Sequence, residues 1–234
     1  MMRKFIILLL VLNVTACAEL QQVVNQLPQG VGIGNDEIAS GLRQALDFGI
    51  EKQVTKLTQT DGFYKNELVK ILLPEELQKV DKGLRDIGLS KLADEGLKVL
   101  NRAAEDAVKE ATPIFIDAVK GITFADAKNI LLGSNDAATQ YLTSKTQSAL
   151  YDKFNPVIKN SFSKVGADEI WSNLITRYNS IPFTADVNPN LTDYVTSEAL
   201  QGVYTMIAVE EKEIRTNLAS RTTDLLKKVF ALQD

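Results

Sequence analysis

From Asp36 to the C-terminus the apolar residues recur at spacings of three and four and nowhere alternate convincingly, and this periodicity constrains the fold more than anything else in the chain. Ile38, Leu42, Ala45, Leu46, Gly49 and Ile50 fall on one face of a helix running to about Leu57, which Thr60-Asp61-Gly62 breaks. In Ile71-Leu72-Leu73-Pro74-Glu75-Glu76 a proline in the first turn precedes two acids, which predicts a helix ending near Gly88. Ser90 is placed to cap a long helix from Lys91 to about Ala111, with Leu92, Gly96, Val99, Leu100, Ala103, Ala107 and Ala111 in its stripe. Thr112-Pro113 opens a short helix to about Gly121, and Thr123-Phe124-Ala125-Asp126 has the form of a capping box. Gly133 reads as a stop, Ser134 or Asn135 as the next start, Asn155-Pro156 as a bend, Gly166 as a stop and Asp168 as a start. A loop over Ser180 to Asn190 precedes the last long helix, Thr192 to about Asn217, and a shorter one from about Ser220 to Leu232. The expected fold is all-α: a single globular domain of about eight to ten helices in an irregular bundle, without a β-sheet or a solenoid repeat.

The amino terminus reads differently. Arg3 and Lys4 precede an apolar run from Phe5 to Val14, too short to span a bilayer as a helix and flanked like a secretory signal. Val14-Thr15-Ala16-Cys17 resembles the lipobox of bacterial lipoproteins. That resemblance implies cleavage before Cys17, diacylglycerol on its sulfur and acylation of its new amino group, and two or more acyl chains suffice for stable anchoring. An ordinary signal peptide with an incidental cysteine is the alternative. Ala18 and Glu19 follow the cysteine instead of the aspartate that retains such lipoproteins at the inner membrane, which points to the outer membrane, facing the periplasm. Residues 1–16 are thus expected to be removed, 17–35 to form the lipidated cysteine and a Gln- and Gly-rich tether, and 36–234 the helical domain. The tether glycines miss the dinucleotide fingerprint, since Asn35 stands where its third glycine belongs.

Two counts narrow the chemistry. The chain has no histidine and one cysteine, which closes Cys/His zinc sites, Ser-His-Asp triads, histidine-ligated haem and carboxylate-histidine di-iron sites. No cofactor or metal is expected, and a metal site would need oxygen ligands. A net charge of −4 leaves no electrostatic footprint for nucleic acid.

Polar residues on apolar faces supply the candidate site. Leu200, Val203, Ile207 and Ile214 form a stripe on which Glu210 also falls, and a buried carboxylate needs a partner. Asn101 lies between Leu97 and Ala104 on its helix, next to Arg102. A cluster is expected to join Asn101, Arg102, Glu105, Asn135, Asp136, Glu210 and Arg215. It reads either as an internal salt-bridge network that fixes helix register or as a functional cleft. Ser134, Asn135 and Asp136 also suit simple helix capping. Asp136 with Glu210 would supply two carboxylates for glycoside hydrolysis or calcium, although no spacing motif supports either. Ser161-Phe162-Ser163-Lys164 has Ser-x-x-Lys spacing without its companion motifs, so chance explains it. Tyr151, Phe154, Phe162 and Trp171 are expected in the core.

Several motifs in one order resemble the bacterial domain-of-unknown-function 4197 family. They are Ser40-Gly41-Leu42-Arg43-Gln44-Ala45-Leu46, Asp61-Gly62-Phe63, Asn101-Arg102-Ala103-Ala104-Glu105, Phe124-Ala125-Asp126-Ala127, Asn135-Asp136-Ala137-Ala138-Thr139-Gln140-Tyr141, Asp193-Tyr194-Val195-Thr196 and Leu225-Leu226-Lys227-Lys228-Val229-Phe230. The resemblance implies an exported helical protein and brings no assigned activity. Gly133-Ser134-Asn135-Asp136 departs from it, because relatives commonly carry two glycines and two acids there, and this weakens a site needing both carboxylates. The expected function is a non-catalytic binding or interaction module held to the membrane through Cys17, taking an envelope protein or a small ligand. A carboxylate-based hydrolase of an envelope polymer and a purely structural helical spacer are the alternatives.

Overall fold

The computed structural model describes residues 34–74, 78, 81–82, 85–180, 182–183 and 186–233. Cys17, the lipobox, the tether up to residue 33 and the acids of the Pro74 helix start, Glu75 and Glu76, lie outside the described residues. Asn35–Asp234 packs as one compact unit. It is all-α, with no strand among the described residues.

Eight α-helices are described: α1 Asn35–Leu57, α2 Ser90–Val108, α3 Ala111–Lys120, α4 Phe124–Leu131, α5 Ala137–Ser163, α6 Ala167–Asn179, α7 Leu191–Thr216 and α8 Asp224–Phe230, with a 3-10 turn at Leu218–Ser220. α5 and α7, of 27 and 26 residues, are the axis of the bundle. They run antiparallel, since partners pair in opposite order: Ala138 with Glu211, Thr146 with Tyr204 and Asn155 with Thr196. α2 and α3 pack on α5, while α1 packs on α7 and is itself covered by α3, α4 and α8. Leu142, Leu150, Phe154, Ile158 and Phe162 of α5 meet Val195, Ala199, Val203 and Ile207 of α7 in one continuous core, the burial that drives the assembly.

Local chemistry sets the boundaries. The capping box at α4 is complete: the Thr123 hydroxyl accepts from the Asp126 N–H, and the Asp126 carboxylate accepts from the Thr123 N–H. Asn190 caps α7 and Thr223 caps α8 through their side chains. Four expectations need correction. Ser90 is not a cap: Leu89 holds that position without a side-chain bond. The helix it opens stops at Val108, and Ala111 begins α3. Its buried face also differs from the expected stripe: Leu97, Asn101, Ala104 and Val108 are buried with Leu100, Ala103 and Ala107, while Gly96 is exposed. Pro156 lies inside α5, which continues to Ser163. Proline leaves the carbonyl of Asp152 without its helical donor, and both residues sit on the exposed face where water can serve it.

Between α1 and α2 residues 61–74 form a strap across the bundle. Its Phe63 is fully buried against Gly202 of α7, where a Cβ would fall 2.7 Å from the Phe63 ring. Only glycine admits so close an approach of ring to helix backbone.

Candidate functional site

The junction between α4 and α5 is built by two charged residues of α7. The Glu211 carboxylate accepts the backbone N–H of Ala138 at 2.9 Å and of Thr139 at 2.8 Å, together with the Thr139 hydroxyl at 2.8 Å. Arg215 donates to that carboxylate from Nε at 3.0 Å and Nη2 at 2.8 Å, and reaches the carbonyls of Leu131 at 3.1 Å and Ile130 at 2.8 Å. The anion therefore sits on the open N–H groups starting α5 and the cation on the carbonyls ending α4, which is the pairing that helix dipoles favour. Both side chains are almost wholly buried, with exposures of 6% and 3%. Gly133 is needed in this turn, because a Cβ there would fall 2.7 Å from the Ala137 Cβ and 2.9 Å from the Asn129 carbonyl.

Glu210, one residue earlier, points about 100° around α7 toward α1. Its Oε1 accepts from Lys52 Nζ at 2.7 Å and its Oε2 from Gln53 Nε2 at 2.7 Å, against Gly49. Lys52 is 65% exposed while the Glu210 side chain is 10% exposed, so the pair runs from solvent into the bundle. On its outer side lies a groove of about 650 Å³ between α1, the end of α7, the 3-10 turn and α8, walled by Phe48, Lys52, Thr55, Ile214, Ser220 and Leu226. On its inner side Glu210, Glu211 and Arg215 border a cavity of about 20 Å³ among Leu42, Gly49, Ala138 and Ile207. That is room for about one water molecule. Beneath the groove the buried Arg221 closes the end of α7, donating to the carbonyls of Ile214 and Arg215.

The strap is held by a third set. Asn101, fully buried in α2, accepts from the Ile71 N–H at 2.8 Å and donates to the Ile71 carbonyl at 2.9 Å, as a neighbouring strand would. Glu105 accepts from the Phe63 N–H at 3.1 Å and pairs with Arg102, which also binds Asp61. Asp61 has φ of 67°. Hydrogen bonding by Lys65, aided by the charges of Lys65 and Arg102, holds its carboxyl below the usual range. Two motifs separated by some forty residues thus interlock through backbone and charge.

The seven residues expected in one cluster therefore do not form one. Asn101, Arg102 and Glu105 hold the strap, Glu210 pairs with Lys52 and Gln53, and Arg215 pairs with Glu211. Asn135 and Asp136 stay exposed on the turn. The physical reason is helix geometry, since Glu211 and Arg215, four residues apart, share the face of α7 toward the α4–α5 junction, while Glu210 lies about 100° around it toward α1. Neither Ser134 nor Asn135 starts α5 as a cap: Asp136 holds that position without a capping bond, and Glu211 takes the N–H groups instead. The Asp136 carboxylate accepts from Ser134 at 2.6 Å and Gln140 at 3.0 Å. Those bonds, with a weaker pull from Arg215, keep its carboxyl below the usual range, so it is not poised as a general acid.

Glu211, Lys52, Gln53 and Arg221 were not singled out from sequence. Glu211 was legible: it stands four residues after Ile207, seven after Tyr204 and four before Arg215, which is helical spacing for a buried, paired carboxylate. Lys52 and Gln53 carry no such signal, because their partner comes from a helix some 160 residues away. No group of three or more metal-ligating side chains occurs among the described residues, and no described helix is long and apolar enough to cross a membrane.

Compared with known proteins, residues 32–231 match a family model described as "Protein of unknown function (DUF4197)". No curated protein and no solved structure matches the chain.

Proposed function

Because the chain belongs to the DUF4197 family, whose description assigns no activity, we propose from its sequence and its groove that it is a lipid-anchored envelope protein acting as a non-catalytic binding module. The observation that carries the reading is the groove between α1, α7 and α8, which joins apolar walls from Phe48, Ile214 and Leu226 to the Lys52–Glu210 pair. Concave sites of this size with a few placed polar groups are where small ligands and partner segments bind. Anchoring rests on Cys17 in its lipobox setting, and the outer membrane on the absence of aspartate after it.

The hydrolase alternative needs Asp136 and Glu210 across an open cleft. Glu210 is engaged by Lys52 and Gln53, and Asp136 by Ser134 and Gln140, which weighs against it. A purely structural spacer would have no use for the groove.

A photo-crosslinking residue at position 48 of the full chain, expressed in cells, tests the binding role against the same residue at position 153 on the exposed face of α5. A discrete adduct from position 48 alone is expected; identical patterns from both positions overturn the reading. Radiolabelled palmitate tests anchoring: label on the parent chain and none on Cys17→Ala is expected, and label retained by Cys17→Ala removes the lipoprotein assignment.

A further inference from the structure

Burial alternates along the second half of the strap. Val69 and Ile71 are buried, Lys70 between them is half-buried, and the flanking Leu68 and Leu72 are 63% and 47% exposed. The inner residues are fixed by the core and by the two bonds from Asn101 to Ile71, and the turn over 66–70, in which the Val69 and Lys70 N–H groups donate to the Asn66 carbonyl, leaves Leu68 in solvent. Beside them Tyr64 carries two ammonium groups, Lys70 Nζ at 4.7 Å and Lys98 Nζ at 5.6 Å from its ring centroid. The two charges thus lie no further apart than those distances laid end to end. Among the described residues neither lysine has an acidic partner, and Asp61 nearby is neutralised by Lys65 and Arg102. Glu67 is the strap's other acidic residue.

We infer that the outward face of Leu68, Lys70 and Leu72, with Tyr64 and Lys98, docks the domain on an anionic lipid surface. Leucines projecting on either side of a lysine set apolar tips into the acyl boundary while the ammonium stays with the phosphates. A tyrosine ring suits the headgroup level between them. An acidic protein would use the lysines but gives no role to two exposed leucines, and lipid uses both. A lysine near an anionic surface contributes about 1 kcal/mol, about a fivefold change in affinity each. The patch differs from the groove and does not require it. Anchoring through Cys17 would raise the local lipid concentration it meets, yet the patch stands on its own residues.

The test is amine acetylation read residue by residue on the full chain, with vesicles of phosphatidylethanolamine and phosphatidylglycerol or of phosphatidylcholine. Expected is a severalfold slowing at Lys70 and Lys98 relative to Lys228 of α8 with the anionic vesicles only, and the same pattern in Cys17→Ala, so that failed lipidation and failed docking are told apart. Leu68→Ser with Leu72→Ser, both outward and therefore harmless to folding, should abolish the slowing. Lys70→Glu with Lys98→Glu should lower affinity for anionic vesicles about 25-fold or more. Equal labelling with and without anionic lipid overturns the inference, as does protection by envelope proteins in the absence of vesicles.

Discussion

Glu210 and Glu211 are neighbours with the same side chain and different work, and single substitutions separate them from the exposed Asp136. Glu211→Ala leaves Arg215 buried without its counter-charge and strips two N–H groups of their acceptor, so chemical denaturation should register a loss of about 3 to 5 kcal/mol. Asp136→Ala, on the surface, should fall within about 0.5 kcal/mol of the parent. Equal losses would mean that the junction is held from the turn and not from α7. Glu198 offers a pH test. Partial burial raises its carboxyl above the usual range, so its contribution to stability is full below the ordinary carboxylate pKa and is lost as pH rises through the raised value. Glu198→Gln should therefore gain stability at neutral pH and show no gain in acid; thermal melts across pH would expose a gain in both.

At the scale of the element, α4 is eight residues long and depends on its ends. Thr123→Ala should cost about 1 kcal/mol, typical of a lost cap. Hydrogen bonds from Thr123 hold the Asp126 carboxyl below its usual range. The stability this brings is present above the unfolded pKa and lost as pH falls through the lower folded value. Asp126→Ala should flatten the acid limb of the stability profile; an unchanged limb would assign that limb to other carboxylates. The same helix shows what pattern can reveal, because a capping box is written in four consecutive residues. Its other end is not, since Arg215 arrives from α7.

For the molecule as a whole, α8 covers α1 and closes the groove with Leu226, while Val229 and Phe230 enter the main core. A chain ending at residue 222 should lose the cooperative transition of the parent or melt well below it, because it exposes the α1 face carrying Leu42 and Leu46. An unchanged melt would make α8 a dispensable flap.

The helical class, most helix positions and the α4 cap follow from the sequence alone, because periodicity, caps, glycine and proline act within a few residues of themselves. The same locality made Glu210 recognisable as a residue needing a partner. Which partner it has was decided by tertiary packing, which sets Lys52 and Gln53 of α1 opposite it and turns Glu211 to the junction. Ser134, Asn135 and Asp136 suit a self-capped turn in sequence because their own side chains can cap a helix. The folded chain gives that role to Glu211 and Arg215, since buried charges on a neighbouring helix meet open N–H and carbonyl groups in a drier environment than exposed side chains can provide.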